Sequence, residues 1–155
     1  MRAVVQRVGS ARVRVDGAVV GSVGPGLLVL LGIAPTDDEA RARHLAERVA
    51  TLRIHEDAAS RMNLDLTAAG GAVLVVSQFT LHADTSRGHR PSFLAAAPAA
   101  LAEPLCAAFC AALRERGLTV AEGAFGAHME VSLVNDGPVT IVVSSGEPPW
   151  EADAG

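Results

Sequence analysis

The chain has 155 residues and a formal net charge of −4, and half of its residues are apolar. This length predicts one domain over residues 1–155, and no apolar run approaches the roughly 18 residues that span a bilayer. The acidic balance argues against broad electrostatic binding to DNA or RNA, which needs many phosphate contacts. The start of the chain lacks the apolar core of a signal peptide, so we expect a cytoplasmic protein with no membrane partner.

The first third of the chain predicts an antiparallel meander. Residues 2–8 and 11–15 alternate between apolar and polar, and Asp16-Gly17 is a strong two-residue hairpin signal. Residues 27–33 are apolar throughout, which is typical of a strand that is buried on both faces. Arg7 lies inside the first strand, and a cation there must be paired or point outward, so its own pattern favours a surface position.

A helix and a loop follow this meander. Residues 36–39, Thr-Asp-Asp-Glu, match a capping box with Thr36 as the N-cap, which predicts a helix over about residues 37–52. His55, Glu56 and Asp57 are adjacent, but the second histidine of a zinc-protease pair is missing, so we predict no metal site. Residues 61–71 are polar and end in glycine, which predicts a loop.

The central feature is a buried strand that becomes polar abruptly at its end. Residues 72–76 are apolar, and Ser77-Gln78-Phe79-Thr80 follow directly. If the chain stays extended there, Ser77 and Phe79 face one way and Gln78 and Thr80 the other. Backbone N–H groups that lack a ladder partner at such a point are natural oxyanion donors. The pattern therefore directs the search for chemistry to this strand end.

A loop and a second helix come next. Residues 82–92 have no hydrophobic period and carry Arg87 and Arg90, which either hold a phosphate or belong to a solvated loop. Apolar residues at helical spacing over residues 101–113 predict a helix that ends near Gly117. The two cysteines on it, Cys106 and Cys110, are four residues apart and are expected to be buried free thiols.

The last part of the chain returns to strands. Residues 118–121, 128–134 and 139–143 predict strands, and Asn135-Asp136-Gly137-Pro138 is a dense turn signal that also allows a cis peptide bond before the proline. Met129 by itself is typical of a residue that fills a gap in the core. The tail after Ser145 is expected to be loosely held.

A serine or threonine nucleophile needs a base within hydrogen-bond reach. His82 and His89 are close in sequence to Ser77 and Thr80, but no Gly-x-Ser-x-Gly elbow is present and nothing in the sequence pairs them. The hydroxyls of Ser77 and Thr80 are equally suited to satisfy backbone groups at the strand end. A side-chain triad is therefore weakly supported by the sequence.

Two motifs together resemble one known family. The segments Ser77-Gln78-Phe79-Thr80-Leu81-His82-Ala83 and Asn135-Asp136-Gly137-Pro138-Val139-Thr140 are similar to those of the bacterial and eukaryotic D-aminoacyl-tRNA deacylases. The resemblance runs from residues 1–8 through residues 90–93 to residues 125–129 and covers nearly the whole chain. The predicted elements and the resemblance together indicate an α+β fold, in which a mostly antiparallel, barrel-like sheet has two main helices packed on it.

The resemblance implies a homodimer that hydrolyses the ester between a D-amino acid, or glycine, and the 3′-terminal adenosine of tRNA. Gly137 and Pro138, joined by a cis bond, would enter the partner subunit's site as a backbone wall against L side chains, with Arg7 holding that segment. Phe79 and Thr80 would supply backbone N–H groups. The candidate catalytic residues are Ser77, Gln78, Phe79 and Thr80, and the candidate substrate-binding residues are Arg7, Arg87, Arg90, Met129, Gly137 and Pro138.

This scheme needs neither a side-chain nucleophile nor a metal or other cofactor. An aminoacyl ester is already activated, the ribose brings its own 2′-OH, and oriented N–H donors would stabilise the developing charge. Two rival functions remain: an esterase that uses Ser77 or Thr80 with a histidine, and a dimeric module that binds RNA ends without turnover. Thr80 as the nucleophile is the minor variant of the deacylase hypothesis.

Overall fold

The computed structural model describes residues 1–146, and the expectation of a loosely held tail concerns mainly residues beyond them. The described chain contains a short 3₁₀ helix besides its strands and α-helices. The elements in order are β1 Arg2–Val15, β2 Ala18–Val23, β3 Gly26–Gly32, α1 Glu39–Ala50, β4 His55–Glu56, β5 Met62–Leu64, α2 Leu66–Ala69, β6 Ala72–Ser77, the 3₁₀ helix Phe79–His82, α3 Ala99–Glu115, β7 Thr119–Glu122 and β8 Glu130–Ser144.

Six strands form one mixed sheet. The order is β2-β1-β3-β6-β7, and β8 pairs with β1. The pairs of β1 with β2, β3 and β8 are antiparallel, whereas β3–β6 and β6–β7 are parallel. The prediction of a mostly antiparallel sheet therefore missed two parallel pairs. They arise because the chain passes through α1 between β3 and β6 and through α3 between β6 and β7, and such helical crossovers join parallel strands.

The sheet curls into a nearly closed barrel. Its two ends, β2 and β7, approach so closely at Gly21 that a Cβ placed there would lie 2.3 Å from the carbonyl oxygen of Glu122. Glycine permits this approach because it has no side chain. The barrel-like part of the prediction is thus confirmed.

The barrel divides the core in two. Side chains that point inward form one cluster, which includes Val13, Leu28 and Leu74. Their neighbours along β3 and β6 point outward and pack with α1 and α3 in the larger cluster, which contains the fully buried Phe109. Strands with apolar residues on both faces are therefore explained, because the barrel interior covers one face and the helices cover the other.

The hairpin between β1 and β2 follows the sequence signal. Asp16 and Gly17 both have positive φ, 50° and 79°, as a type I′ turn requires.

Residues 62–69, in contrast, contain β5 and α2 where the sequence predicts a loop. Asp65 begins α2 by accepting a hydrogen bond from the N–H of Ala68 at 2.8 Å. Local capping thus orders a segment that has no long periodicity.

Helix α1 begins later than the capping box predicts. The N-cap is Asp38, whose carboxylate accepts the N–H of Arg41 at 2.8 Å, so the assignment of Thr36 was wrong. The neighbouring Asp37 is buried and accepts the N-terminal ammonium of Met1 at 2.6 Å and the N–H of Ala34 at 2.7 Å. A contact 36 residues away in sequence thus fixes the approach to α1.

Two further boundaries differ from the predictions. Strand β8 continues through Asn135-Asp136-Gly137-Pro138 and shifts its register against β1 there, instead of breaking at a turn. Helix α3 begins at Ala99, two residues before the predicted range, and contains Pro104. Among residues 1–146, no helix is both long and apolar enough to cross a membrane.

We predict that Asp37→Asn lowers the free energy of unfolding by about 3–5 kcal/mol, because it leaves a buried ammonium group without its counter-charge. Urea denaturation followed by circular dichroism measures this. Glu39→Gln is the matched control, since Glu39 pairs with Arg43 on the exposed side of α1 and such pairs contribute little. If both variants lowered the free energy of unfolding by the same small amount, the buried pair of Met1 and Asp37 would not have the predicted importance.

Candidate active site

The site is built where β6 ends. β6 lies between β3 and β7, and its last ladder partner is Leu31, opposite Ser77. The N–H of Gln78 still donates to the carbonyl oxygen of Leu31 at 2.8 Å, and the chain then turns into the 3₁₀ helix. The chain therefore does not stay extended through Thr80, and Ser77, Gln78 and Phe79 all border the same space.

Two backbone N–H groups are left over by this turn. The N–H of Leu81 donates to the carbonyl oxygen of Gln78 at 3.2 Å, and Nη1 of Arg2 donates to the carbonyl oxygen of Leu81 at 2.5 Å. Within residues 1–146, no acceptor meets the N–H groups of Phe79 and Thr80. A fixed turn thus presents two unused donors at the strand end.

A cavity of about 440 Å³ opens beside this turn. Its walls come from the ends of β3 and β6, the beginning of α3 and the loop before β8. The lining residues are Leu31, Ile33, Val76, Ser77, Gln78, Phe79, Ala97, Ala99, Ala102, Cys106, Phe125, Gly126, Ala127, His128, Met129 and Val131. Four sequence-predicted residues, Ser77, Gln78, Phe79 and Met129, are therefore brought together in one cavity.

The hydroxyl groups at the site have no histidine base. Oγ1 of Thr80 accepts a hydrogen bond from the side-chain amide of Gln78. Nε2 of His82 is buried without a hydrogen-bond partner, and burial lowers the pKa of this imidazole below its usual value. Among the described residues, no imidazole hydrogen-bonds Ser77 or Thr80, so the arrangement gives no support to a side-chain triad.

Met129 lies in the loop just before β8, not inside a strand as predicted. Its side chain borders the cavity and also packs against the cluster inside the barrel. A Cβ placed on Gly123 would lie 2.8 Å from Sδ of Met129, so this glycine makes room for the thioether. Met129 therefore serves both as a core residue and as part of the cavity wall.

Arg7 is buried, which corrects the expectation that it is a surface residue. Its Nε donates to the carbonyl oxygen of Asp136 at 2.7 Å and its Nη1 to that of Ile54 at 2.7 Å. The carboxylates of Glu56 and Asp136 lie 3.7 Å and 3.6 Å from the guanidinium nitrogens. Burial and the Arg7 charge lower the pKa of the adjacent His55. Arg7 therefore ties β1 and β4 to the residue before Gly137.

The Gly137-Pro138 peptide bond is cis. The amide of Asn135 spans the segment, because its Nδ2 donates to the carbonyl oxygen of Val139 at 3.0 Å and its Oδ1 accepts the N–H of Val139 at 2.8 Å. Gly137 and Pro138 are exposed and do not border the cavity of their own chain. The structure thus separates them from Ser77, Gln78, Phe79 and Met129.

Arg87 and Arg90 lie on an exposed loop that also does not border the cavity. The base of this loop is closed by Asp84 and Ser92, which exchange two backbone hydrogen bonds of 2.8 Å. Neither arginine forms an ion pair within the part of the chain that the structure describes. Among the same residues, no group of three or more His, Cys, Asp or Glu side chains is arranged to hold a metal ion.

Comparisons with known proteins show which sequences this chain resembles. A family profile described as D-Tyr-tRNA(Tyr) deacylase matches residues 4–144. The D-aminoacyl-tRNA deacylase of Anaeromyxobacter dehalogenans is 61% identical over 145 residues, which cover 94% of this chain and 97% of that protein. The one from Deinococcus radiodurans is 59% identical over 143 residues, covering 92% and 99%.

The chain belongs to the D-Tyr-tRNA(Tyr) deacylase family. The sequence-based predictions of this family and of an enzyme are thereby confirmed. Solved structures are similar as well. A structure of a c-Myc DNA Unwinding Element Binding Protein has a TM-score of 0.88 and 37% identity, and the match covers 94% of this chain and 99% of that chain. A structure of a probable eukaryotic D-amino acid tRNA deacylase has a TM-score of 0.79 at 17% identity; this match covers 92% of this chain and 97% of that chain and supports the fold.

Sequence reasoning missed the wall that α3 contributes to the deacylase cavity. Ala102 and Cys106 are one helical turn apart and line it, but small residues carry no distinctive pattern. Cys106 is half-buried, and burial, with Glu122 and Glu103, raises the pKa of its thiol to about 11. The thiol is therefore protonated at neutral pH and acts as wall, not as nucleophile.

Gly32 packs against the turn that follows β6, so a substitution there tests whether the position of the turn matters for catalysis. A Cβ on Gly32 would lie 3.0 Å from Cβ of Leu81 and 3.1 Å from the carbonyl oxygen of Gln78. We predict that Gly32→Ala pushes the turn and lowers kcat of the deacylase about tenfold or more, since such displacements misalign donors. Steady-state kinetics measures this. Gly9→Ala is the control, because no atom lies within 4 Å of its added Cβ; equal kcat values for both would contradict the prediction.

Proposed function

We propose that this chain hydrolyses the ester bond of D-aminoacyl-tRNA, and of glycyl-tRNA, and releases the free amino acid and tRNA. It acts as a single-domain homodimer in the cytoplasm and proofreads chirality during translation. The family supports the reaction. The observation that carries the mechanism is the pair of unused N–H groups, on Phe79 and Thr80, beside the cavity.

These donors suit an ester carbonyl. When water attacks the carbonyl carbon, negative charge develops on the carbonyl oxygen, and N–H groups already held in place stabilise it without reorganisation. Removing one such donor typically costs about 100- to 1,000-fold in kcat. The ribose 2′-OH of the substrate lies next to the scissile ester and takes part in the proton transfer, so no side-chain nucleophile is required. The amide of Gln78 and the hydroxyl of Ser77 line the nucleoside end of the site.

The cavity suits the terminal adenosine. A volume of about 440 Å³ is within the range of roughly 300–1,000 Å³ that is typical of small-molecule sites. Its walls are largely apolar, with Phe125 and Met129 available to contact a flat base and the hydroxyl of Ser77 available to a sugar or base edge. In this proposal the ester lies at the Phe79-Thr80 end of the cavity.

Selection against L-amino acids comes from the partner subunit. Gly137 and Pro138 are exposed on a segment that Arg7 and Asn135 hold in a fixed shape, and we propose that they enter the partner's cavity. Val134 lies in the same strand β8, is 62% exposed and does not border the cavity, which supports an apolar contact with a second subunit there. A rigid backbone wall that excludes an L side chain discriminates more strongly than added contacts to a D side chain.

The net charge is consistent with binding to the acceptor end of the tRNA alone. Arg87 and Arg90 would hold phosphates there, while the net charge of −4 disfavours extended binding to tRNA or DNA. An RNA-end-binding module without turnover is the second candidate, since the protein of the 37%-identical structure is named for DNA binding. Turnover of the ester distinguishes these functions.

The test is hydrolysis of D-tyrosyl-tRNA against L-tyrosyl-tRNA by the purified protein, with and without a chelator. We expect rapid loss of the D-ester, survival of the L-ester and no effect of the chelator. Survival of both esters, with tight binding that ignores stereochemistry, would favour the binding module instead. Loss of activity on Ser77→Ala, with no dependence on the RNA, would favour a small-molecule esterase.

A mixture of two variants tests whether the wall acts across the dimer. A Cβ on Gly137 would lie 2.4 Å from the backbone nitrogen of Val139, so Gly137→Ala displaces the wall, whereas Gln78→Ala damages the pocket. After dissociation and reassociation, about a quarter of the sites combine an intact wall with an intact pocket.

The readout is the ratio of D-ester to L-ester hydrolysis. We expect this ratio to rise above that of Gly137→Ala alone, because the restored sites cleave only D-esters. If wall and pocket came from the same subunit, the mixture would keep the ratio of Gly137→Ala. Wild-type protein taken through the same treatment is the control.

A further inference from the structure

Two phenylalanine rings are exposed beside the mouth of the cavity. Phe79, which borders the cavity, is 58% exposed, and Phe93 is 37% exposed. Their ring centroids are 5.1 Å apart at an angle of 75°, the edge-to-face arrangement that aromatic pairs favour. The pair therefore forms a fixed aromatic surface that continues the cavity wall toward solvent.

A basic loop is anchored directly next to this pair. The hydrogen bonds between Asp84 and Ser92 close the loop one residue before Phe93, and the carboxylate of Asp84 also accepts the N–H of Ser86 at 2.9 Å. Arg87 and Arg90 lie on this loop, and residues 85–91 contain no acidic side chain. The fold thus couples a positive loop to an aromatic pair at one edge of the cavity.

This combination fits a single-stranded nucleotide. Proteins bind single strands by stacking bases on aromatic rings while arginines follow the phosphates, and every base has a face that can stack. The nucleotide that precedes the terminal adenosine must leave the cavity at its mouth. A second protein chain is a less suitable occupant, since Val134 of β8 offers it an exposed apolar contact that does not border the cavity.

We propose that Phe79 and Phe93 form a stacking platform for the base that precedes the terminal adenosine, with Arg87 and Arg90 binding its phosphates. This inference rests on the proposed function, because it assumes that the cavity takes the terminal adenosine. It assigns Phe93 a binding role outside the two motifs and explains why a phenylalanine is exposed there. The platform does not distinguish one base from another, and it positions the acceptor end relative to the cavity.

The experiment compares two RNA minihelices that carry the same D-amino acid ester. One has the natural end, and the other lacks the base before the terminal adenosine. The proteins are the wild type, Phe93→Leu, Phe93→Tyr and Leu94→Ala. Leu94 is the matched control because it is 93% exposed next to Phe93 and is not aromatic. Urea midpoints show that each variant is folded.

We expect Phe93→Leu to raise KM for the natural end by about 5- to 100-fold with little change in kcat, since a stacked base contributes that much to binding. Phe93→Tyr retains the wild-type KM, as does Leu94→Ala. On the minihelix without the base, the wild type already has the raised KM and Phe93→Leu adds nothing. If the ratio of the KM values for the two minihelices were the same for Phe93→Leu as for the wild type, the proposed platform would be wrong.

Two other outcomes are separable from this one. If the wild type fails to hydrolyse either ester, the proposed function is wrong, and binding of the same minihelices with a hydrolysis-resistant amide link then tests the platform alone. If Phe93→Leu leaves KM unchanged but shifts the monomer–dimer equilibrium in sedimentation, the pair belongs to a protein interface and the proposal is wrong.

Discussion

The constraint on which the site depends is the position of β6 between two parallel neighbours. Its ladder can end only where β3 and β7 end, and the last bond, from Gln78 to the carbonyl oxygen of Leu31, fixes that point. The chain must then turn, and Gly32 lets the turn lie directly against β3. Since the sheet and Arg2 hold the turn from both sides, its unused N–H groups are oriented before any substrate arrives.

A second constraint is the burial of a full positive charge at Arg7. A guanidinium group shielded from water is tolerated only when its donors are bonded and its charge is balanced. Ile54 and Asp136 supply carbonyl oxygens, and carboxylates lie on either side. The same contacts tie the small β4–β5 sheet to the barrel and set the course of β8 just before Gly137. The charge therefore organises a segment that no apolar contact could hold as specifically.

The sequence predicts what short-range rules decide. The apolar run of β3 and the Asp16-Gly17 turn were foreseeable because periodicity and positive φ are local properties. The cap of α1 was not, because Asp37 is occupied by an ammonium group distant in sequence. Arg7 shares the parity of the buried Ala3 and Val5, so alternation alone contained a signal for its burial. The alanines of the cavity wall give no such signal, since small residues suit any environment.

Charge pairing explains how an acidic chain can still present a positive surface at one place. On the surfaces of α1 and α3, arginines are matched to carboxylates, as Arg43 is to Glu115 and Arg114 to Glu122. Arg87 and Arg90 have no carboxylate partner among the described residues. Because exposed charges are screened beyond about 10 Å at 0.1 M salt, the distant acidic residues hardly weaken this loop. The local arrangement at the mouth of the cavity, more than the total charge, then determines where a polyanion can bind.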